Sequence, residues 1–229
     1  SRRSIWPLLP SRSFGPSARH SSCRLPAARG TCRRGWRVCW DKVYLVGGGP
    51  SLRGFDFERL RGQVVVAIND ASRHLPWATA LFSADLIWMD NRRSHIESFP
   101  GERYLAIPPD VQGVYRGVQY LTRLRLLGLS EVQGCVHFGA TSGYAAVNLA
   151  VLKGAKEIVL FGYDYSGTDR WYPDYVWSSG GRGQLEHEEW ARNFGTMLPA
   201  LALAGVKVMN AGLSSKITAF PKVELMSSV

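Results

Sequence analysis

From residue 43 onward, short continuous apolar runs alternate with longer stretches of mixed character. The segments 43–46, 64–68, 103–107, 136–138, 157–161 and 206–210 are rich in Val, Ile, Leu, Tyr and Phe. Runs this short, without polar alternation, predict strands covered on both faces of a parallel sheet. Between them the spacing predicts a helix over 144–153, closed by Gly154 as its C-terminal cap. A second long helix is predicted over 184–203, interrupted near Pro199. Segments 80–85 and 87–90 read as strand-like, each ending in an acid, and apolar spacing over 118–127 predicts a helix. The alternation indicates an α/β, Rossmann-like layered fold with a mainly parallel sheet, in a single domain over 41–229.

In such sheets ligands sit beyond the carboxyl ends of the strands. Gly47, Gly48, Gly49, Pro50 and Ser51 come after the first strand there and read as a phosphate loop. Glycine turns sharply and exposes its N–H groups, and a helix start at Pro50 would add its dipole. The plain alternative is a tight strand-to-helix turn. The dinucleotide fingerprint is not met, because its third glycine falls on Leu52 and the acid expected at the ribose is Asn69. Asn69 can pair with a base or ribose through its amide, and Asp70 can serve the ribose instead. Thr141, Ser142 and Gly143 open the next helix as a second small-residue loop, suited to anion binding or to simple N-capping. Asp164 and Asn210 end later strands.

Net charge is +10 over 229 residues, but nine arginines and no acid lie in residues 1–40. The remaining 19 Lys and Arg face 18 Asp and Glu, so a basic groove for nucleic acid is not indicated. Residues 1–40 read as a basic, disordered arm. Their composition also suits a targeting peptide or an upstream stretch outside the working protein, although prolines at 7, 10, 16 and 26 interrupt an amphipathic helix. Cys23, Cys32 and Cys39 have no zinc-ligand spacing, and Cys135 stands alone, so nothing calls for an oxidising compartment. With no apolar run near the roughly 18 residues of a membrane span, a cytoplasmic protein is expected.

Residues 165–183 combine Tyr165, Trp171, Tyr172, Tyr175 and Trp177 with glycines and serines. The pattern suits a lid that excludes water and offers stacking faces to a sugar or base. The plain alternative is a disordered loop, or one that contacts another chain, a second copy of this one in a homo-oligomer included. His187 comes directly after it, and by spacing alone it reads as a surface histidine on an acidic helix start. No His/Cys cluster with metal-ligand spacing occurs, while Asp85 and Asp90 suffice in kind for Mg²⁺ against phosphates.

Gly-Gly-Gly-Pro-Ser-Leu at 47–52, Asn69, Thr141-Ser142-Gly143 and the run 145–164 together resemble the bacterial sialyltransferases that use CMP-sialic acid. The resemblance covers about 43–69 and 139–216 and implies that both loops and Asn69 contact the cytidine nucleotide. It further implies that His187 is the base and that Tyr172 steadies the leaving phosphate. A second lid tyrosine has no clean match, Tyr165 being shifted by one. The same landmarks are similar to the MptE-like 6-hydroxymethylpterin diphosphokinases. That likeness implies pyrophosphoryl transfer from ATP with Mg²⁺, for which Asp85, Asp90 or Asp164 would be essential and Asp85 and Asp90 would hold the metal. The leading expectation is a glycosyltransferase that needs no cofactor, with a nucleotide-sugar donor, CMP-linked by preference, and a hydroxyl acceptor on a glycan or small molecule. The diphosphokinase and a non-catalytic nucleotide-binding protein are the alternatives.

Overall fold

The structure is a computed structural model and describes residues 40–111, 113–167, 169–173 and 184–225. The apolar runs form one open sheet of eight parallel strands: β1 (Lys42–Val46), β2 (Val65–Ile68), β3 (Ala80–Ser83), β4 (Glu102–Ile107), β5 (Gln119–Leu124), β6 (Cys135–His137), β7 (Glu157–Phe161) and β8 (Lys207–Ala211). Their spatial order is β6-β5-β4-β3-β2-β1-β7-β8. The chain winds outward from β1 to β6, then returns to lay β7 and β8 on the other flank of β1. That reversal opens a crevice at the carboxyl ends of β1 and β7. The two strands run in phase from Lys42↔Glu157 to Val46↔Phe161, so Gly47 and Gly162 leave the sheet side by side.

Among the described residues six α-helices lie along the chain: α1 (Ala71–His74), α2 (Leu86–Asn91), α3 (Arg93–Ser98), α4 (Ser142–Leu152), α5 (Gln184–Asn193) and α6 (Leu198–Ala204). Helix α4 packs against β1, β2, β3 and β6 and is buried without a break from Tyr144 to Ala150. A helix apolar all round belongs in a core rather than on a surface. Its one buried side-chain amide has partners at both atoms: Asn148 Oδ1 accepts from the Ser130 and His137 N–H groups, and Nδ2 donates to the Ser130 carbonyl.

Four expectations are corrected. Residues 119–124 form strand β5, where burial alternates along Leu121 and Arg123; the apolar spacing fitted either period, and pairing between β4 and β6 selects the strand. Residues 87–90 lie in α2, because Asp85 accepts from the Ile87 and Trp88 N–H groups and caps a helix there. The long helix divides into α5, a 3₁₀ turn (Phe194–Met197) and α6, with Pro199 in the first turn of α6, where its ring is tolerated. Trp40, assigned to the arm, is fully buried; its N–H donates to the Lys153 carbonyl and its ring meets Tyr104 edge-on. The rest of the arm lies outside the described residues. Among the described residues no helix is long and apolar enough to cross a membrane.

Candidate functional site

The crevice at the β1/β7 reversal holds a cleft lined by Gly47 to Pro50, Asn69, Thr141 to Gly143, residues 162–167, Asp169, Arg170, Tyr172, His187 and Trp190. The glycine loop is shaped by what approaches it. A Cβ on Gly47 would lie 2.8 Å from the Gly162 carbonyl oxygen, and one on Gly49 2.6 Å from both that oxygen and the Asp164 carboxylate. A Cβ on Gly48 would lie 2.6 Å from Arg170 Cδ and 2.8 Å from the Tyr172 hydroxyl. None of the three has positive φ; close backbone packing excludes a side chain at Gly47 and Gly49, while the atoms over Gly48 are the movable side chains of Arg170 and Tyr172.

The loop's hydrogen bonding revises the phosphate-loop expectation. Gly47 N–H donates to the Phe161 carbonyl and Gly49 N–H to the Gly162 carbonyl. Ser51 gives its N–H and its hydroxyl to the two oxygens of Asp164 at 2.7 and 2.6 Å. Gly48 N–H alone in this loop has no partner among the described residues. The helix start expected at Pro50 is a single 3₁₀ turn (Pro50–Leu52), too short for a useful dipole. Asp164 and Ser51 thus latch the loop to the end of β7, and Ser51 is absent from the cleft lining.

The second loop keeps more of its anion-binding character. Thr141 caps α4 through Oγ1, which accepts from Tyr144 N–H at 3.1 Å and meets the Tyr165 hydroxyl at 2.9 Å. Ser142 Oγ accepts from Ala84 N–H, tying α4 to the end of β3. The N–H groups of Ser142 and Gly143 are left without a partner among the described residues. Gly143 is fixed by contact, since its Cβ would lie 2.9 Å from the Tyr163 ring.

Asn69 stands at the end of β2 with φ of +52°, and its Oδ1 is buried with no partner among the described residues. Ala140 (+74°) and Tyr165 (+53°) are the other non-glycine residues of positive φ described. Asn69 and Tyr165 line the cleft, in the loops after β2 and β7, and Ala140 directly precedes Thr141 of the lining. Left-handed backbone costs about 1–2 kcal/mol per residue, and such strain collects at functional sites. Asp70, by contrast, points away: it is fully buried, and Oδ1 pairs with Arg92 Nε at 2.9 Å, outside the cleft lining.

His187 is buried on the inner face of α5, lines the cleft, and packs against Trp190 with ring centroids 5.1 Å apart. The surface reading from spacing is corrected, because exposure falls on its neighbour Leu185. Tyr172 is buried, stacks on His74 at 5.0 Å and brings its hydroxyl over Gly48. Trp171 straps this segment down, donating from its backbone to the Gly48 carbonyl and from Nε1 to the Gly47 carbonyl. Burial raises the Tyr163 and Tyr165 phenols above the usual tyrosine range, so both remain neutral at physiological pH. Tyr175 and Trp177 lie outside the described residues.

Asp85 is taken up by capping α2, and neither it nor Asp90 is among the lining residues. Among the described residues no three His, Cys, Asp or Glu side chains gather as a metal site. Sequence reasoning passed over Arg170, Trp190 and His74. Only Arg170's place in the aromatic segment offered a signal.

No family model and no curated protein matches the chain. Among solved structures it is similar to the MAf glycosyltransferase from Magnetospirillum magneticum AMB-1, with 18% identity and a TM-score of 0.55. The match covers 83% of this chain and 34% of the other, so the chain spans about a third of its neighbour's length, and the likeness is one of fold.

Proposed function

We propose that the cleft binds a nucleotide-sugar, CMP-linked by preference, and transfers the sugar to a hydroxyl acceptor. The observation that carries this reading is that His187 and Tyr172 face the same cleft as Asn69, Gly48 and the start of α4. Asn69, with its buried and unpartnered amide oxygen, takes the nucleoside. His187 removes the acceptor's proton as its oxygen bonds to the anomeric carbon. The sugar–phosphate bond breaks, and the electron pair leaves on the phosphate oxygen, where the Tyr172 hydroxyl donates a hydrogen bond. The fold shared with a protein named as a glycosyltransferase supports the assignment.

Thermal unfolding of the full chain with CMP, CDP, UDP, GDP or ATP, each with and without Mg²⁺, tests it by mass action. Stabilisation by CMP without metal is the expected result. Stabilisation by ATP with Mg²⁺ alone would replace this reading with pyrophosphoryl transfer.

A further inference from the structure

Arg170 is the one Lys or Arg side chain among the described residues that line the cleft. The peptide group that follows it is held at both ends: its carbonyl accepts from Arg53 Nη2 at 3.2 Å, and its N–H, that of Trp171, donates to the Gly48 carbonyl at 3.1 Å. The side chain therefore enters the site from a fixed base. It passes directly over Gly48, where a Cβ would meet its Cδ at 2.6 Å and its Nε at 3.1 Å. The Tyr172 hydroxyl lies 2.8 Å from that same point. Gly48 also carries the one N–H of the glycine loop that has no partner among the described residues. Arg170 Nε and the Tyr172 hydroxyl thus approach one side of a glycine whose own N–H is also on offer, while Arg170 Nη1 donates to the Asp169 carbonyl at 2.9 Å and the Gly167 carbonyl at 3.5 Å. All three are donors, and one carries a full charge.

We infer that Arg170 is the residue that binds the donor's phosphate, and that the absent side chain at Gly48 makes room for it. This rests on the nucleotide-sugar reading and adds to it a charged partner for the leaving group. Guanidinium suits a phosphate better than ammonium because its planar fork donates two parallel hydrogen bonds. The bond strengthens as the sugar–phosphate bond breaks and negative charge gathers on the departing oxygen. Neutral donors such as the Tyr172 hydroxyl also stabilise that oxygen, but only Arg170 among the described lining Lys and Arg residues brings a full opposite charge.

Calorimetric titration of the full chain with cytidine, uridine, guanosine and adenosine, and with each 5′-monophosphate, tests this. The wild type is expected to bind one monophosphate about tenfold to hundredfold more tightly than its nucleoside, the range for a hydrogen bond to a charged group. Arg170→Gln is expected to remove most of that difference, the Tyr172 hydroxyl retaining the rest, with nucleoside affinity changed far less than monophosphate affinity, and Arg170→Lys to restore part of it. Gly48→Ala, which pushes Arg170 and Tyr172 aside without removing either, is expected to lower the preference as well. A monophosphate preference that survives intact in Arg170→Gln overturns the role of Arg170 and leaves the nucleotide reading standing. No binding of any nucleoside or nucleotide by the wild type overturns both.

Discussion

Asp164 accepts both hydrogen bonds that Ser51 offers, from the N–H at 2.7 Å and from the hydroxyl at 2.6 Å, across 113 residues of chain. The pair joins the loop after β1 to the loop after β7 at the point where strand order reverses. Hydrogen bonds to a charged group are worth about 1.5–3 kcal/mol each. Asp164→Asn keeps the shape but replaces one acceptor with a donor, so it is expected to destabilise the chain by about 2 kcal/mol. Ser51→Ala, which keeps the backbone bond, is expected to cost about half as much. Urea unfolding measures both, and stability equal to wild type in Asp164→Asn would show that the latch does not hold the loop.

His187 tests the chemistry. His187→Ala is expected to reduce sugar transfer by at least about a hundredfold, the lower range for loss of a general base. Nucleotide affinity, measured separately by titration, is expected to remain near wild type, because the acceptor's proton and not the donor is its concern. Equal turnover in the variant would remove His187 from the mechanism.

The His74 ring lies nearly parallel to Tyr172, 13° off, and also meets Trp171 edge-on at 5.2 Å. It holds the tyrosine whose hydroxyl reaches over Gly48. Aromatic pairs of this kind contribute about 0.5–1.5 kcal/mol. His74→Ala is expected to lower turnover roughly threefold to tenfold, with the acceptor's KM little changed, and His74→Phe to recover most of the loss. A purely structural role would instead lower the melting temperature in both variants and leave their turnover equal.

The alternation that marks the parallel sheet was legible because β1, β2 and β7 are buried on both faces and carry apolar residues without a break. The local pattern failed where two periods fit the same side chains, as in β5, and where a cap decides the element, as with Asp85 and α2. The glycines at 47–49 were legible as a sharp turn after β1, but what packs against them was not. Their cause lies in Gly162, Asp164, Arg170 and Tyr172, more than a hundred positions away, and no reading of neighbours can supply it. The left-handed backbone at Ala140 and Tyr165 likewise has no local signal, since neither residue favours it. Asn69 and Asp70 are adjacent and chemically alike, and only the turn into α1 decides that Asn69 faces the cleft while Asp70 faces Arg92.

That turn is held by a chain of hydrogen bonds reaching back to α3. Ser72 donates from its hydroxyl to the Asn69 carbonyl at 2.6 Å, and the same oxygen lies 2.8 Å from His95 Nε2. The hydroxyl's one proton is used on Asn69, so His95 donates to Ser72 and carries its proton on Nε2. Around the imidazole stand Asp70 and Arg73 from the α1 turn, Arg92 at the head of α3, and the rings of Trp88 and Phe99. Burial lowers the His95 pKa below its usual value near 6.5, and the charges of Arg73 and Arg92 add to this against the opposing pull of Asp70. Between that lowered value and about 6.5 the unfolded chain binds a proton that the folded chain does not, so stability rises with pH across this window and falls as the pH drops through it. His95→Gln retains a donor at this position but does not titrate. It is expected to flatten the pH dependence of unfolding below about 6.5 while leaving stability at pH 8 within about 1 kcal/mol of wild type. Denaturant unfolding at pH 5, 6, 7 and 8 measures this, and an unchanged slope in the variant would mean that the acid sensitivity arises elsewhere.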